Sequence, residues 1–228
     1  MTGRQPQPDA LLNAPVYARV AERIRADVVA GVWPLGARMT MADLQRRYAV
    51  SSVPIREALQ ELRGEGLVEI QGHRGARVPL VDPDFVAECY DVRAGIRAVL
   101  ARRSAERITG LDLSRLADIE RDFEAAARQL DLPALLEANR RFHSLLDTVA
   151  GNRQALRILS CGPTSLIDAA RLHHGYGPRR LAQVVKEHRA MIEAMKARDG
   201  ERAARLIFDH AMGAKADLLA QMARRAAA

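Results

Sequence analysis

Apolar residues recur every fourth position at Val16, Val20, Ile24 and Val28, which puts them on one face of a helix that Gly31 ends. Beyond the connection 32–36 the pattern shortens. Leu44 and Tyr48 share one face of a short helix opened by Thr40, with Asp43 three residues on as in a capping box. Ala49 and Val50 make a turn, and Ser51 is placed as the N-cap of the next helix. Pro54 falls in that helix's first turn, where a missing N–H costs nothing, and Ile55, Leu59 and Leu62 form its apolar stripe. Gly64 and Gly66 end it. Two strands over 67–70 and 76–81 then flank a turn at 71–75, so the order is helix-turn-helix followed by a hairpin wing.

From residue 84 onward the helical period takes over, punctuated by Gly110, Pro133, Gly151-Asn152, 175–178 and Asp199-Gly200. This predicts six helices, at about 84–109, 112–130, 133–150, 153–173, 179–199 and 201–225, whose short connections favour antiparallel neighbours. The expected fold is mostly α: a polar tail over 1–14, a winged helix-turn-helix over 15–81, and an all-α antiparallel six-helix bundle over 84–225. Trp33 precedes the motif alone and is expected to plug the small winged core.

Composition changes this picture little. With 48% hydrophobic residues, 228 residues are enough for two small cored domains. The net charge of +7 permits nucleic acid without demanding it, so patterning has to carry that claim. Cys89 and Cys161 follow no metal or redox spacing and read as packing residues in a reducing cytosol. Residues 1–14 lack the apolar core of a signal peptide, and no stretch approaches the ~20 apolar residues that span a membrane. The expectation is a cytoplasmic protein.

Two clusters carry candidate chemistry. The apolar stripe of the second motif helix turns Ser52, Arg56, Gln60 and Arg63 outward, and Ser52 and Arg56 lie near its N-terminus, the part of a recognition helix that meets base edges. His73 and Arg74 form a glycine-flanked basic wing tip suited to a phosphate backbone or minor groove. In the bundle, Asn139 and His143 are spaced i, i+4 on the third helix, His188 lies on the fifth and His210 on the sixth. Three imidazoles from separate helices can hold a divalent ion such as zinc or nickel with positions left open, or can be ordinary polar residues at a core edge. Asp147 continues the Asn139/His143 face as an extra ligand or as an orienter of His143. His173-His174, at a helix end, suits the helix dipole instead.

With these features placed, the chain from Val16 to Met222 resembles the GntR family of bacterial transcription regulators, in the FadR-like branch with an all-helical FCD effector domain and the six-helix count of its VanR-type subset. The matching runs are 36–38, the SxxPIREALxxLxxEGLV pattern over 51–68, RGAxV over 74–78, NRRFHSLLDTVAGN over 139–152, EHRAMIEAMKARD over 187–199, and His210. The resemblance implies DNA contacts from Arg38, Thr40, Ser51, Ser52, Arg56, His73 and Arg74. It also implies metal ligation by Asn139, His143, His188 and His210, and a homodimer on a palindromic double-stranded operator. Ser52 and Ala42 stand where relatives often carry arginine, which removes two guanine-reading groups. Asn139 replaces a frequent aspartate, leaving a neutral ligand set that would favour an anionic partner, and Arg93 and Arg97 are positioned for the carboxylate of an effector.

The reading that results is a DNA-binding regulator, a repressor by resemblance, controlled by a small organic acid at a metal. A metal-free regulator that binds its effector directly through the histidines is the alternative. A metal-dependent hydrolase is disfavoured because only Asp147 is patterned as a base.

Overall fold

The structure, a computed structural model, describes residues 14–159 and 163–227. All but the last residue of the expected tail, and Cys161, lie outside the described residues. The chain divides into two compact units: one runs to Val81 and takes in a short stretch ending at Ala169, and the other is the remainder from Asp82.

The first unit is built from α1 (Val16–Val29), β1 (Arg38–Thr40), α2 (Met41–Tyr48), α3 (Ser52–Gly64), β2 (Glu69–Ile70), a 3-10 turn (Gly72–Arg74) and β3 (Gly75–Arg77). Thr40 caps α2 by accepting from the Asp43 amide at 3.1 Å, and it also donates its hydroxyl to the Asp43 carboxylate at 2.6 Å. Ser51 occupies the N-cap position of α3 but makes no side-chain cap bond. The expected stripes close the core, with Ile24, Leu44, Ile55 and Leu62 fully buried.

The wing differs from the expected hairpin in having a third strand. The sheet order is β1-β3-β2, all antiparallel, with Arg38 opposite Arg77 and Thr40 opposite Gly75. Three residues of β1 are too few for an alternation to announce itself in sequence. Gly75 is fixed by geometry: its φ is +120°, and a Cβ there would lie 2.1 Å from the Met39 carbonyl oxygen. Trp33 is half-buried and donates from Nε1 to the Tyr48 hydroxyl at 2.8 Å, which donates in turn to Asp27 at 2.7 Å. The plug is therefore also a hydrogen-bonded one.

The second unit contains α4 (Pro83–Arg107), α5 (Gly110–Gln129), α6 (Leu132–Ala150), α7 (Arg153–Leu159), α9 (Arg180–Lys196) and α10 (Gly200–Ala226), together with the end of α8 (Pro163–His174). The helix expected over 153–173 thus runs as α7 and α8. Pro163 opens α8, where its missing amide hydrogen is harmless, whereas inside a continuous helix it would break a bond to the preceding turn. Asp82, Thr109, Asp131 and Asp199 cap α4, α5, α6 and α10 through side-chain bonds, and Thr109 with Asp112 forms a full capping box.

The interior of this unit is layered. Leu116 and Ile119 of α5, Leu146 of α6, and Met191 and Ile192 of α9 belong to one apolar cluster. Phe123, Ala138 and Val184, about one turn or two away on the same three helices, belong to another. Between them each helix inserts a buried polar residue: Glu120, His143 and His188. A polar layer inside a packed core costs desolvation unless its members satisfy one another, so its hydrogen bonds decide what the layer is for.

Candidate functional site

His143 on α6, His188 on α9 and His210 on α10 are respectively 2%, 0% and 5% exposed. One ring nitrogen from each lies within 4.8 Å of the other two. The Nε2 atoms of His143 and His210 are 3.2 Å apart. Two nitrogens each about 2.0 Å from a tetrahedral ion would be separated by about 3.3 Å, so this pair already stands at ligand spacing. Phe142, next to His143 on α6, stacks face to face on His188 with centroids 4.1 Å apart and holds that ring's plane.

Hydrogen bonds fix how two of the rings present themselves. His188 Nδ1 lies 2.7 Å from a Glu120 carboxylate oxygen, and His210 Nδ1 lies 2.6 Å from Glu187. A carboxylate accepts, so each Nδ1 carries the hydrogen, and in a neutral imidazole each Nε2 is then left as a lone pair. His188 Nε2 is buried and has no partner among the described residues. Among the described residues His143 has no such bond at Nδ1, which is buried without a partner, and its contact with His210 requires a hydrogen on its own Nε2. Replacing that hydrogen by a cation would satisfy three converging lone pairs at once. The donor set therefore fits a divalent ion of the borderline class, zinc or nickel.

The electrostatics of His143 and His210 favour the neutral form. Burial pushes the His143 imidazolium well below its ordinary range, and the nearby Arg97 and the other two histidines add to the push. Burial likewise lowers His210 to about 4, against the opposing pull of Glu187. Glu187 is held down to about 2: its bonds to His210 and Arg180 outweigh the burial that would raise it. Neutral imidazole is the form that binds metal.

Other expected residues sit differently. Asn139 is half-buried one turn before His143 on α6. Asp147 is neither among the clustered ligand groups nor an orienter of His143; its carboxylate takes the Nε–H of Arg97 at 3.3 Å. Burial raises the Asp147 carboxyl and Arg97 offsets part of that, so the pair is internally compensated. Arg97 is thereby committed to the protein. Arg93 is not committed in the same way: its Nη1 is buried without a hydrogen-bond partner among the described residues, while its guanidinium lies over the Tyr90 ring at 5.7 Å. His173 and His174 occupy the last turn of α8 with rings at right angles and are not members of the three-histidine cluster.

The carboxylates bracing the histidines are absent from the sequence reading. Glu120 had a signal, since it lies one turn from both Leu116 and Phe123 on the inward face of α5, where an acid needs a reason. Glu187 was masked by its neighbour His188. Arg180, 7% exposed, donates to Glu187 at 2.9 Å and to the His210 carbonyl oxygen at 2.9 Å. It packs so closely on α10 that a Cβ on Gly213 would lie 2.8 Å from its Nη1.

In the winged unit, Arg38 opens β1, Arg56 lies one turn into α3, and Arg74 ends the 3-10 turn at the wing tip; all three are exposed. None of them makes an ion pair or side-chain hydrogen bond among the described residues, in contrast to Arg25, paired with Glu65, and Arg47, paired with Asp27. Unpaired exposed arginines keep all their donors for an outside acceptor. Ser52 is half-buried at the start of α3 and Ser51 is exposed. The Thr40 hydroxyl is spent on its cap, which leaves it to hold α2 in register more than to reach outward. His73 lies in the tip turn, and its side chain is outside the described residues.

Comparison with known proteins matches residues 16–78 to "Bacterial regulatory proteins, gntR family" and residues 88–212 to the FCD domain. The chain is 26% identical over 199 residues to the HTH-type transcriptional repressor RspR of Escherichia coli (strain K12), covering 86% of each. It is 24% identical over 201 residues to the uncharacterized HTH-type transcriptional regulator YdhC of Bacillus subtilis (strain 168), covering 86% of this chain and 88% of that one. Among solved structures, E. coli McbR/YncC superposes with a TM-score of 0.80 at 18% identity, covering 92% of this chain and 99% of the other, and shares the fold.

Proposed function

Because this chain belongs to the gntR family of bacterial regulatory proteins and carries an FCD domain, it is a DNA-binding transcriptional regulator and not an enzyme, and we propose that it is a repressor whose operator affinity is set by a small carboxylate bound at a divalent metal in the helical unit. The observation that carries the metal is the convergence of one ring nitrogen each from His143, His188 and His210, with His188 Nε2 buried and without a partner among the described residues. Asn139 is the candidate for a further ligand from the same face of α6. When bound, the ion supplies an uncompensated positive charge to an anion in an open coordination position.

Arg93 is the second half of the effector site. A buried guanidinium nitrogen with no acceptor is costly, and a ligand carboxylate would supply one. Arg97, paired with Asp147, shapes the positive potential around His143 without needing an outside partner.

The repressor assignment draws on relatives of this chain named as repressors. The protein acts in the cytoplasm as a homodimer, so that two copies of α3 meet the two halves of a palindromic operator, with Arg56 and Ser52 at the bases and Arg38, His73 and Arg74 along the backbone. The carboxylate acts by binding one arrangement of the dimer more tightly than the other. The test is calorimetric titration of a panel of small carboxylates into metal-loaded, metal-stripped and Arg93→Ala protein. Binding that needs both the metal and Arg93 is expected. Equal binding to stripped protein would favour direct recognition by the histidines.

A further inference from the structure

Two of the three histidines are held by carboxylates from outside their own turn, and the third is not. Glu120, 4% exposed on α5, takes the Nδ1–H of His188 on α9; Glu187 on α9 takes the Nδ1–H of His210 on α10. Each bond crosses between helices, at sequence separations of 68 and 23. Resting on the metal reading above, we infer that Glu120 and Glu187 are positioning residues that select the Nδ1–H tautomer of His188 and His210 and so turn both Nε2 lone pairs toward one ion.

The two braces are unequal. Glu187 is itself anchored by Arg180, which reaches back to the His210 carbonyl oxygen and closes a ring of contacts between α9 and α10. Among the described residues Glu120 has no such cation, and its second oxygen is buried without a partner. A carboxylate behind an imidazole raises the basicity of the ligating nitrogen and restricts the ring, and removing such partners typically costs 10–100-fold in metal affinity. His143, with nothing at Nδ1, gains no such help, so it is the ligand whose ring the ion itself must orient.

The experiment uses the full chain in four variants, Glu120→Gln, Glu120→Ala, Glu187→Gln and Glu187→Ala, titrated with zinc against a chromophoric chelator. Tautomers of the metal-free proteins are read from long-range proton–nitrogen NMR correlations of the histidine rings. The alanine variants are expected to lose zinc affinity by about 10- to 100-fold. The glutamine variants should lose less, because an amide oxygen still accepts from Nδ1–H. Loss of the Nδ1–H form should be confined to His188 in Glu120→Ala and to His210 in Glu187→Ala, a pattern that general loosening of the core would not produce. If an alanine variant does not fold, the isosteric glutamine variant of that position decides. Zinc affinity within twofold of the parent in every folded variant, or unchanged tautomers in a folded alanine variant, would overturn the inference while leaving the metal reading standing. Parent protein that takes up no zinc overturns both.

Discussion

The Nε2 atoms of His143 and His210 face each other at 3.2 Å, although the residues are 67 positions apart and come from different helices. Two buried imidazoles brought this close, with His188 completing the cluster, form an arrangement that a hydrocarbon layer of the same volume would replace at lower desolvation cost. The polar layer is therefore better explained by a ligand than by stability.

Metal removal should show this directly. Protein prepared without chelator is expected to carry close to one zinc or nickel per chain, and His143→Ala, His188→Ala and His210→Ala should each lower that content sharply. Stripping should also lower the thermal midpoint: free metal at a thousand times its dissociation constant adds about 4 kcal/mol to the folded state. Elemental analysis and calorimetry check both, and full metal content in His143→Ala would refute the ligand set.

DNA binding should separate base reading from backbone contact. Arg56→Ala is expected to cost about 1–3 kcal/mol on the specific operator and to relax sequence preference. Arg74→Ala should weaken specific and non-specific DNA alike and reduce the salt slope by about 1. Titrations at several salt concentrations distinguish the two, and an Arg56→Ala protein with unchanged operator affinity would remove α3 as the reading element.

The effector should respond to charge at the metal. Asn139→Asp supplies from the protein a negative charge that a carboxylate would otherwise bring, so carboxylate affinity should fall in that variant as it does on stripping. By linkage, whatever factor the effector imposes on operator affinity, the operator imposes on effector affinity. Calorimetry and gel shift on one preparation test that equality. A carboxylate indifferent to the metal, to Asn139→Asp and to Arg93→Ala would place the effector elsewhere.

The winged unit should lose stability in alkali. Burial, reinforced by the bond to Asp27, raises the Tyr48 hydroxyl from 10.0 to about 12, although the Trp33 hydrogen bond pulls the other way. Between those values the folded form holds a proton that the unfolded form has released, so unfolding free energy falls as pH rises from about 10 to 12, by about 2 kcal/mol for this group. Tyr48→Phe should flatten that part of the profile. It should also cost about 1–3 kcal/mol at neutral pH, because Trp33 Nε1 and Asp27 each lose a partner. Denaturant titrations across the pH range measure both effects, and an alkaline slope that survives Tyr48→Phe would assign it to another group.

The amino-acid sequence by itself determined the local architecture, because helical faces and caps are set by residues three or four apart. The stripe Ile55, Leu59 and Leu62 turned Arg56 outward, and the i, i+4 spacing put Asn139 and His143 on one face of their helix. The resemblance of the motif runs did the rest for the family. Tertiary structure alone decided which inward groups meet. Glu120 could be seen to lie on the buried face of α5, but that it braces His188 depends on how α5 and α9 are packed, which no local period encodes. The same holds for Asp147, whose position suggested His143 and whose partner is Arg97 on α4, 50 residues away. Strand β1 exists only because β3 offers it a ladder, and a three-residue segment has too few side chains to declare that pairing in advance.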